Sequence, residues 1–138
     1  MNYEITIFKN QFDNKTHRKV TLQSWESFRD LLFQLSKQKG QKGGGNSSPL
    51  ITPACFQESS TRSNKSTLHW GGWCAVDVDD FMVGVGIDEI KQNLRERFGQ
   101  YNYIVYSTAS SRKEHLKFRI VFELDEHIEN ERIKSFWY

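Results

Sequence analysis

Apolar and polar positions change period several times along this 138-residue chain, and each change predicts an element. Tyr3, Ile5 and Ile7 alternate with polar neighbours, which predicts a short strand over Tyr3–Phe8. A polar turn is expected over Asn10–Lys19. Ser24 is placed to cap a helix, with Glu26 in its first turn. Trp25, Phe28, Leu31, Leu32 and Leu35 then recur at helical spacing, so an amphipathic helix packed on a sheet is expected. From Lys37 to Ser48 the residues are mainly Lys, Gln, Gly, Asn and Ser, with three successive glycines at 43–45. That composition favours a flexible loop. The loop is expected to lie inside one domain, because the segment before it has too few apolar residues to close a core alone.

Pro49–Lys65 is mixed in character. Trp70–Asp80 is an apolar approach that ends abruptly in acid, the pattern of a buried strand delivering carboxylates at its carboxyl end. Ile87, Ile90, Leu94 and Phe98 keep helical spacing between Gly86 and Gly99, with Gly99 at the C-cap. Tyr103–Ser107 is aromatic and β-branched, which predicts a strand, and Ser107–Lys113 a polar turn. His115–Leu124 alternates: Leu116, Phe118, Ile120, Phe122 and Leu124 share one face, while His115, Lys117, Arg119 and Glu123 share the other. A half-buried strand is expected there. A third helix is expected from near His127, using Ile128, Ile133, Phe136 and Trp137, with the chain stopping inside it. Large aromatics at the end suggest a sequence cut short of its natural domain. No internal repeat is visible, and the mixture of strands and helices gives an α+β class, a mixed or antiparallel sheet with helices packed on it.

Length fits a single domain over residues 1–138. The net charge of +2 does not by itself announce a nucleic-acid partner. Its distribution is more informative. Up to Leu68 there are ten Lys/Arg against five Asp/Glu; from His69 onward there are nine against twelve. A basic first half beside an acidic second half suits a phosphate-binding surface next to a carboxylate cluster. Cys55 and Cys74 form no CxxC pair, and with His17 and His69 they match no structural zinc spacing. No charged-then-apolar leader opens the chain and no apolar run reaches membrane-spanning length, so a soluble protein of the reducing cytoplasm is expected, that of the host if the source is viral.

Two groups of residues carry candidate chemistry. Asp77 and Asp79 stand two apart on the expected strand, so their carboxylates leave one face with Cα atoms roughly 7 Å apart. Such a pair can hold one magnesium or bracket two ions roughly 3.5–4 Å apart. The two carboxylates repel in a partly dry site unless a hard divalent ion neutralises them. His115, Lys117 and Arg119 are expected to project together over roughly 13 Å of the later strand, about the reach of a triphosphate. Arginine grips phosphate oxygens in a fork, lysine offers a point charge and histidine a hydrogen bond. Metal-assisted phosphoryl or nucleotidyl transfer uses both groups.

In order, these motifs resemble the archaeo-eukaryotic primase superfamily, and within it the primase-polymerases of phages and mobile elements. Ala75-Val76-Asp77-Val78-Asp79 is similar to its first motif, an apolar strand ending in DxD. Ser110-Ser111-Arg112-Lys113-Glu114-His115 is similar to its second, a Ser/Gly turn leading to a strand-borne histidine. Lys117-Phe118-Arg119-Ile120-Val121-Phe122 resembles the basic strand that follows, and Arg62-Ser63-Asn64-Lys65 an upstream segment with Arg62 and Lys65 as nucleic-acid contacts. The resemblance covers Trp70–Leu124, about 40 per cent of the chain. It implies an RRM-like primase catalytic core and Mg2+ or Mn2+ on Asp77 and Asp79. It also implies triphosphate contact by His115 and Ser110, with Lys117 and Arg119 added by strand alternation. The implied reaction is DNA-templated nucleotidyl transfer from nucleoside triphosphates in replication, beside a primer and a replicative helicase. The family's third motif, a further metal-binding Asp on a later strand, has no counterpart here; Glu123 and Asp125 come too soon. The catalytic domain is therefore expected to be incomplete at the C-terminus, binding metal and nucleotide weakly and polymerising poorly or not at all.

Two other classes fit parts of the pattern. Val76-Asp77-Val78-Asp79-Asp80 also resembles the opening motif of haloacid-dehalogenase-like phosphatases, with Val105-Tyr106-Ser107-Thr108 as a strand ending in Ser/Thr. Phe81 stands where that family has Thr or Val, and no downstream acidic pair closes its magnesium site. A non-catalytic nucleic-acid-binding module would use the Lys/Arg residues and aromatics, leaving the DxD unexplained.

Overall fold

The computed structural model of the chain describes residues 1–10, 12–15, 17–38, 49–80 and 85–136. These residues form an α+β fold of three helices and three small antiparallel sheets. They fall into two compact units, Met1–Trp73 with Leu124–Tyr138, and Cys74–Glu123.

In the first unit the alternating opening segment is strand β1 (Tyr3–Phe8), with Ile5 wholly buried. β1 is central in a sheet with β2 (His17–Leu22) and β3 (Leu50–Thr52) on its edges. The turn expected over Asn10–Lys19 is thus shortened, because β2 begins at His17 and pairs with β1 from Phe8↔His17 to Tyr3↔Leu22. Helix α1 (Trp25–Ser36) starts where expected: the Ser24 side chain accepts from the Ser27 N–H at 3.1 Å, satisfying a donor at the helix start. Its Phe28 and Leu32 are buried. Phe28 lies between Trp25 and Trp73, with centroids 5.1 Å from each. Of the loop expected over 37–48, residues 39–48 lie outside the described residues.

The mixed segment Pro49–Lys65 yields β3, β4 (Ala54–Phe56) and a single 3-10 turn (Asn64–Ser66). The second sheet has the order β4-β5-β9, with β5 (Thr67–Trp70) central and β9 (Ile128–Glu129) on an edge. The third helix, α3 (Asn130–Phe136), follows β9 and begins later than the expected start near His127, because Ile128 first pairs with Trp70.

The single buried strand expected over Trp70–Asp80 is instead two strands, β5 and β6 (Trp73–Val78), broken at Gly71-Gly72. The break has a steric cause. The Gly71 carbonyl accepts from the Glu4 N–H at 2.9 Å, and a Cβ at Gly71 would lie 2.3 Å from the Glu4 carbonyl oxygen. Gly72 has φ +89°, a region open chiefly to glycine. Trp73, at the start of β6, is wholly buried and donates from its indole N–H to the Glu4 carbonyl at 2.8 Å.

In the second unit, β6, β7 (Tyr103–Ser107) and β8 (Phe118–Glu123) form a sheet of order β6-β8-β7. Helix α2 (Ile87–Phe98) packs on it: Ile90 and Leu94 meet Phe118 and Ile120, with Val78, Phe98, Tyr103 and Phe122 around them. Gly99 follows the helix in right-handed conformation, and its glycine identity answers close approach, a Cβ there falling 2.5 Å from the Arg95 carbonyl oxygen. The strand expected over His115–Leu124 starts only at Phe118. Residues 108–117 form a laced turn, in which Ser111 Oγ accepts from the Lys117 N–H at 3.0 Å and the Thr108 N–H donates to the Lys117 carbonyl at 3.0 Å. β8 is also buried on both faces at its centre, since Val121 has no exposure beside Ile120.

Candidate functional site

Strand order explains the central feature of the second unit. β8 lies between β6 and β7, so a side chain on β8 can reach partners on both neighbours. Phe118, Ile120 and Phe122 face α2, which by alternation sends Arg119 to the opposite face of the strand. There Arg119 forms a fork with Asp77 of β6, Nε to Oδ1 at 2.5 Å and Nη2 to Oδ2 at 3.2 Å. Its Nη1 donates to the Tyr106 hydroxyl on β7 at 3.0 Å, with the guanidinium 5.8 Å from the Tyr106 ring centre. Tyr106 is the register partner of Arg119 in the β7–β8 ladder. The hydrogen bond to Asp77 raises the Arg119 pKa above its ordinary value, outweighing the opposing effect of burial. Burial raises that of Tyr106, against the lowering effect of Arg119.

The other predicted residues are placed as follows. Asp77 is on β6 with its side chain about half exposed, at 52%. Asp79 lies beyond the end of β6, so the expectation that strand alternation sets both carboxylates on one face does not hold. Asp79 is exposed and makes no hydrogen bond or ion pair with another described residue. Asp80, next in sequence, brings Oδ1 to 3.8 Å from His115 Nε2. That distance is an ionic approach, too long for a hydrogen bond, and His115 Nε2 is buried without a hydrogen-bond partner among the described residues. His115 and Lys117 belong to the turn before β8, so the cationic row expected along one strand reduces to Arg119 alone. His115 is held by a two-residue bridge with Arg112, whose guanidinium donates to the Ala109 and Ser111 carbonyls. Ser110 is partly buried, but Ser111 is the serine that closes the turn. Arg62 and Lys65 are in the first unit, Arg62 with its guanidinium 5.1 Å from the Phe8 ring centre and Lys65 in the 3-10 turn.

The geometry thus brings together Asp77, Arg119 and, unforeseen from sequence, Tyr106. Separately it brings His115 towards Asp80. A shallow depression of about 200 Å3 on the helix side of this unit is lined by Lys91, Leu94, Arg95, Tyr103 and Val105, none of them a predicted residue.

The first unit holds a second polar cluster that no sequence spacing announced. Cys55 and His69 are register partners in the β4–β5 ladder, and Glu4 joins them from β1. One ligand-type atom from each of the three lies within 4.8 Å of the others. Glu4 Oε1 is 3.2 Å from His69 Nε2 and 3.7 Å from His127 Nδ1; its Oε2 is 3.0 Å from Lys19 Nζ and 3.3 Å from Cys55 Sγ. Burial alone would push the Glu4 carboxyl up, but hydrogen bonds from Lys19, Cys55 and His69 together outweigh it and hold the pKa down at about 2. Burial, and then the neighbouring Glu4 charge, push the Cys55 thiol up to about 12.

Compared with known protein families, with curated proteins and with solved structures, the chain matches none. No helix among the described residues is long and apolar enough to cross a membrane.

Proposed function

We propose that the Cys74–Glu123 unit carries a metal-dependent nucleotidyl-transfer site of the primase-polymerase type, acting on nucleoside triphosphates along a DNA template. The observation that carries this proposal is the fork between Asp77 and Arg119: a carboxylate suited to a hard cation and a guanidinium suited to phosphate meet on adjacent strands. The element order also supports it. β6-α2-β7-β8 with the spatial order β6-β8-β7 is a split β-α-β followed by a hairpin strand, the arrangement that opens RRM-like sheets.

Asp77 and Asp79 are the residues that would hold Mg2+ or Mn2+, both being exposed carboxylates near the end of one strand. The bound ion supplies neutralisation of the reacting phosphate and lowers the barrier to attack by a 3′-hydroxyl. Arg119 acts as the exchangeable counter-ion. In the metal-free chain it neutralises Asp77; with metal and nucleotide present it transfers its fork to a phosphate oxygen pair, a geometry guanidinium fits as well as it fits carboxylate. Tyr106, hydrogen-bonded to Nη1, keeps the guanidinium oriented during that exchange. His115, whose Nε2 has no hydrogen-bond partner among the described residues, donates to the triphosphate, helped by Ser110 and Lys117 of the same turn. In the transfer step the 3′-hydroxyl releases its proton to solvent as its oxygen bonds to the α-phosphorus, while the bond from that phosphorus to the bridging oxygen breaks and pyrophosphate leaves.

The test is calorimetric titration of the chain with a nucleoside triphosphate, with and without Mn2+. Binding is expected to require the metal, to be lost in Asp77→Ala, and to weaken about tenfold in Arg119→Lys, which keeps charge but not the fork. Nucleotide binding that is indifferent both to metal and to Asp77→Ala would remove the proposal. Salt-sensitive single-strand binding in that case would identify a nucleic-acid module instead.

A further inference from the structure

β7 forms one edge of the three-stranded sheet in the second unit, and no described strand pairs with its outer side. We propose that this edge, with the groove beside it, takes up an extended acidic segment of a partner protein as a fourth strand, a binding function separate from nucleotidyl transfer.

The phase of the β7–β8 ladder decides which groups the edge offers. The Glu123 N–H donates to the Asn102 carbonyl at 3.1 Å, and the Thr108 N–H to the Lys117 carbonyl at 3.0 Å. Between these two bonds Ile104 stands opposite Val121 and Tyr106 opposite Arg119. Alternation therefore turns the backbone groups of Ile104 and Tyr106 towards β8, and those of Tyr103, Val105 and Ser107 outwards. Val105 and Ser107 are exposed. The edge is also unguarded. Edge strands are commonly blunted by charge or proline. β2 opens with His17-Arg18-Lys19 and β6 carries Asp77, whereas Tyr103-Ile104-Val105-Tyr106-Ser107 has neither device.

The groove sets the chemistry of the partner. The depression of about 200 Å3 lies between this strand and α2, with Leu94, Tyr103 and Val105 as its apolar lining and Lys91 and Arg95 on its helix side. The two cations stand one helical turn apart and are exposed, and neither forms an ion pair with another described residue. Residues of an added strand that lie opposite Tyr103 and Val105 project on the same face as those two, towards α2. Carboxylates at alternate positions thus reach Lys91 and Arg95, while apolar residues between them fall beside Ile104 on the other face. A second copy of β7 fits the edge but not the charge. Two such edges paired antiparallel about a two-fold axis bring both α2 helices to one face, with Lys91 and Arg95 set against their counterparts. A nucleic-acid strand answers the cations but has no alternating row of N–H and C=O groups to pair with the edge.

The test is amide-resolved NMR of the whole nitrogen-15-labelled chain, without metal or nucleotide, titrated with a peptide of four glutamate-valine repeats. Shifts centred on β7 and α2 are expected, with hydrogen exchange at the Val105 and Ser107 N–H slowed about tenfold or more at saturation. N-methylation of the glutamate amides, which keeps the charge but removes the donors facing β7, should abolish binding. Lys91→Glu combined with Arg95→Glu should weaken it at least about tenfold. Val105→Pro removes an outward N–H and leaves the β8 ladder intact, and should weaken it similarly. If Val105→Pro does not fold by circular dichroism, the charge-reversed chain and the N-methylated peptide decide. Binding that survives N-methylation or charge reversal overturns the proposal, as does the lack of saturable shifts at β7 up to about 1 mM peptide. Exchange at Val105 and Ser107 that slows with the concentration of the chain alone overturns it in favour of a second copy. A thymidine oligonucleotide that shifts β7 where the peptide does not overturns it in favour of nucleic acid. None of these measurements involves Asp77 or metal, so failure here leaves the nucleotidyl-transfer reading standing.

Discussion

Glu4 and Asp77 are both strand carboxylates gripped by basic partners, yet their settings differ in every respect that matters to function. The Glu4 side chain is 14% exposed and is touched by groups from β2, β4, β5 and the segment before β9. The Asp77 side chain is 52% exposed and is held by a single arginine. A charge enclosed by several donors cannot be released without leaving those donors unpaired, so Glu4 serves the fold. A charge at the surface exchanges one partner for another at little cost, so Asp77 is available for chemistry.

Substitution can break this contrast. Glu4→Gln is expected to have the largest effect on the fold, about 2–4 kcal/mol of stability, because Lys19 loses its counter-charge and the groups around Glu4 lose a shared acceptor. Denaturant melts of the two proteins would measure it; a loss as small as that of a surface pair would dissolve the distinction. The acid limb sharpens it further. The folded-state pKa of Glu4 lies at about 2, below the ordinary 4.5, so its contribution is fully present above pH 4.5 and disappears as pH falls towards 2. Melting temperatures of wild type and Glu4→Gln should therefore converge across that window and stay separated above it.

Next in size, Asp77→Asn should cost less than about 1 kcal/mol of stability, because the pair is half exposed, while reducing Mn2+-dependent nucleotide affinity at least about tenfold. Equal losses in both measurements would make Asp77 a structural residue like Glu4. The smallest effect is expected from Tyr106→Phe, which removes one hydrogen bond to Arg119: nucleotide affinity should fall about twofold to threefold, with a loss of stability no larger than that of Asp77→Asn.

Much of the fold was legible because burial imprinted itself on periodicity. α1, α2, β1 and β7 stand where apolar spacing put them. β2 escaped notice because it is an edge strand rich in charge, His17-Arg18-Lys19 opening it, and an edge needs no apolar alternation. β3 and β4 are three residues each around Pro53, too short to show a period. β8 was extended too far because Leu116 continues its alternation, whereas side-chain and backbone bonds from Ser111 and Thr108 hold that stretch in a turn. At the candidate site, Asp77 and Arg119 could be singled out from their strand positions, and Tyr106 could have been found by pairing Tyr103–Ser107 with the basic strand as a hairpin. The Glu4 cluster had no such signal. Its members come from separate sheets and distant parts of the chain, with His69 opposite Cys55 only because β4 and β5 are antiparallel and Glu4 brought in from β1 of the other sheet.

The two cysteines are distributed one to each unit, Cys55 in the first and Cys74 in the second, and both are buried and unpaired. Burial pushes both thiols up, so neither is a ready nucleophile in the closed state. Each therefore reports breathing of its own unit. With the other cysteine replaced by serine, the rate of maleimide labelling would time the transient opening of one half of the molecule independently of the other, with no introduced probe.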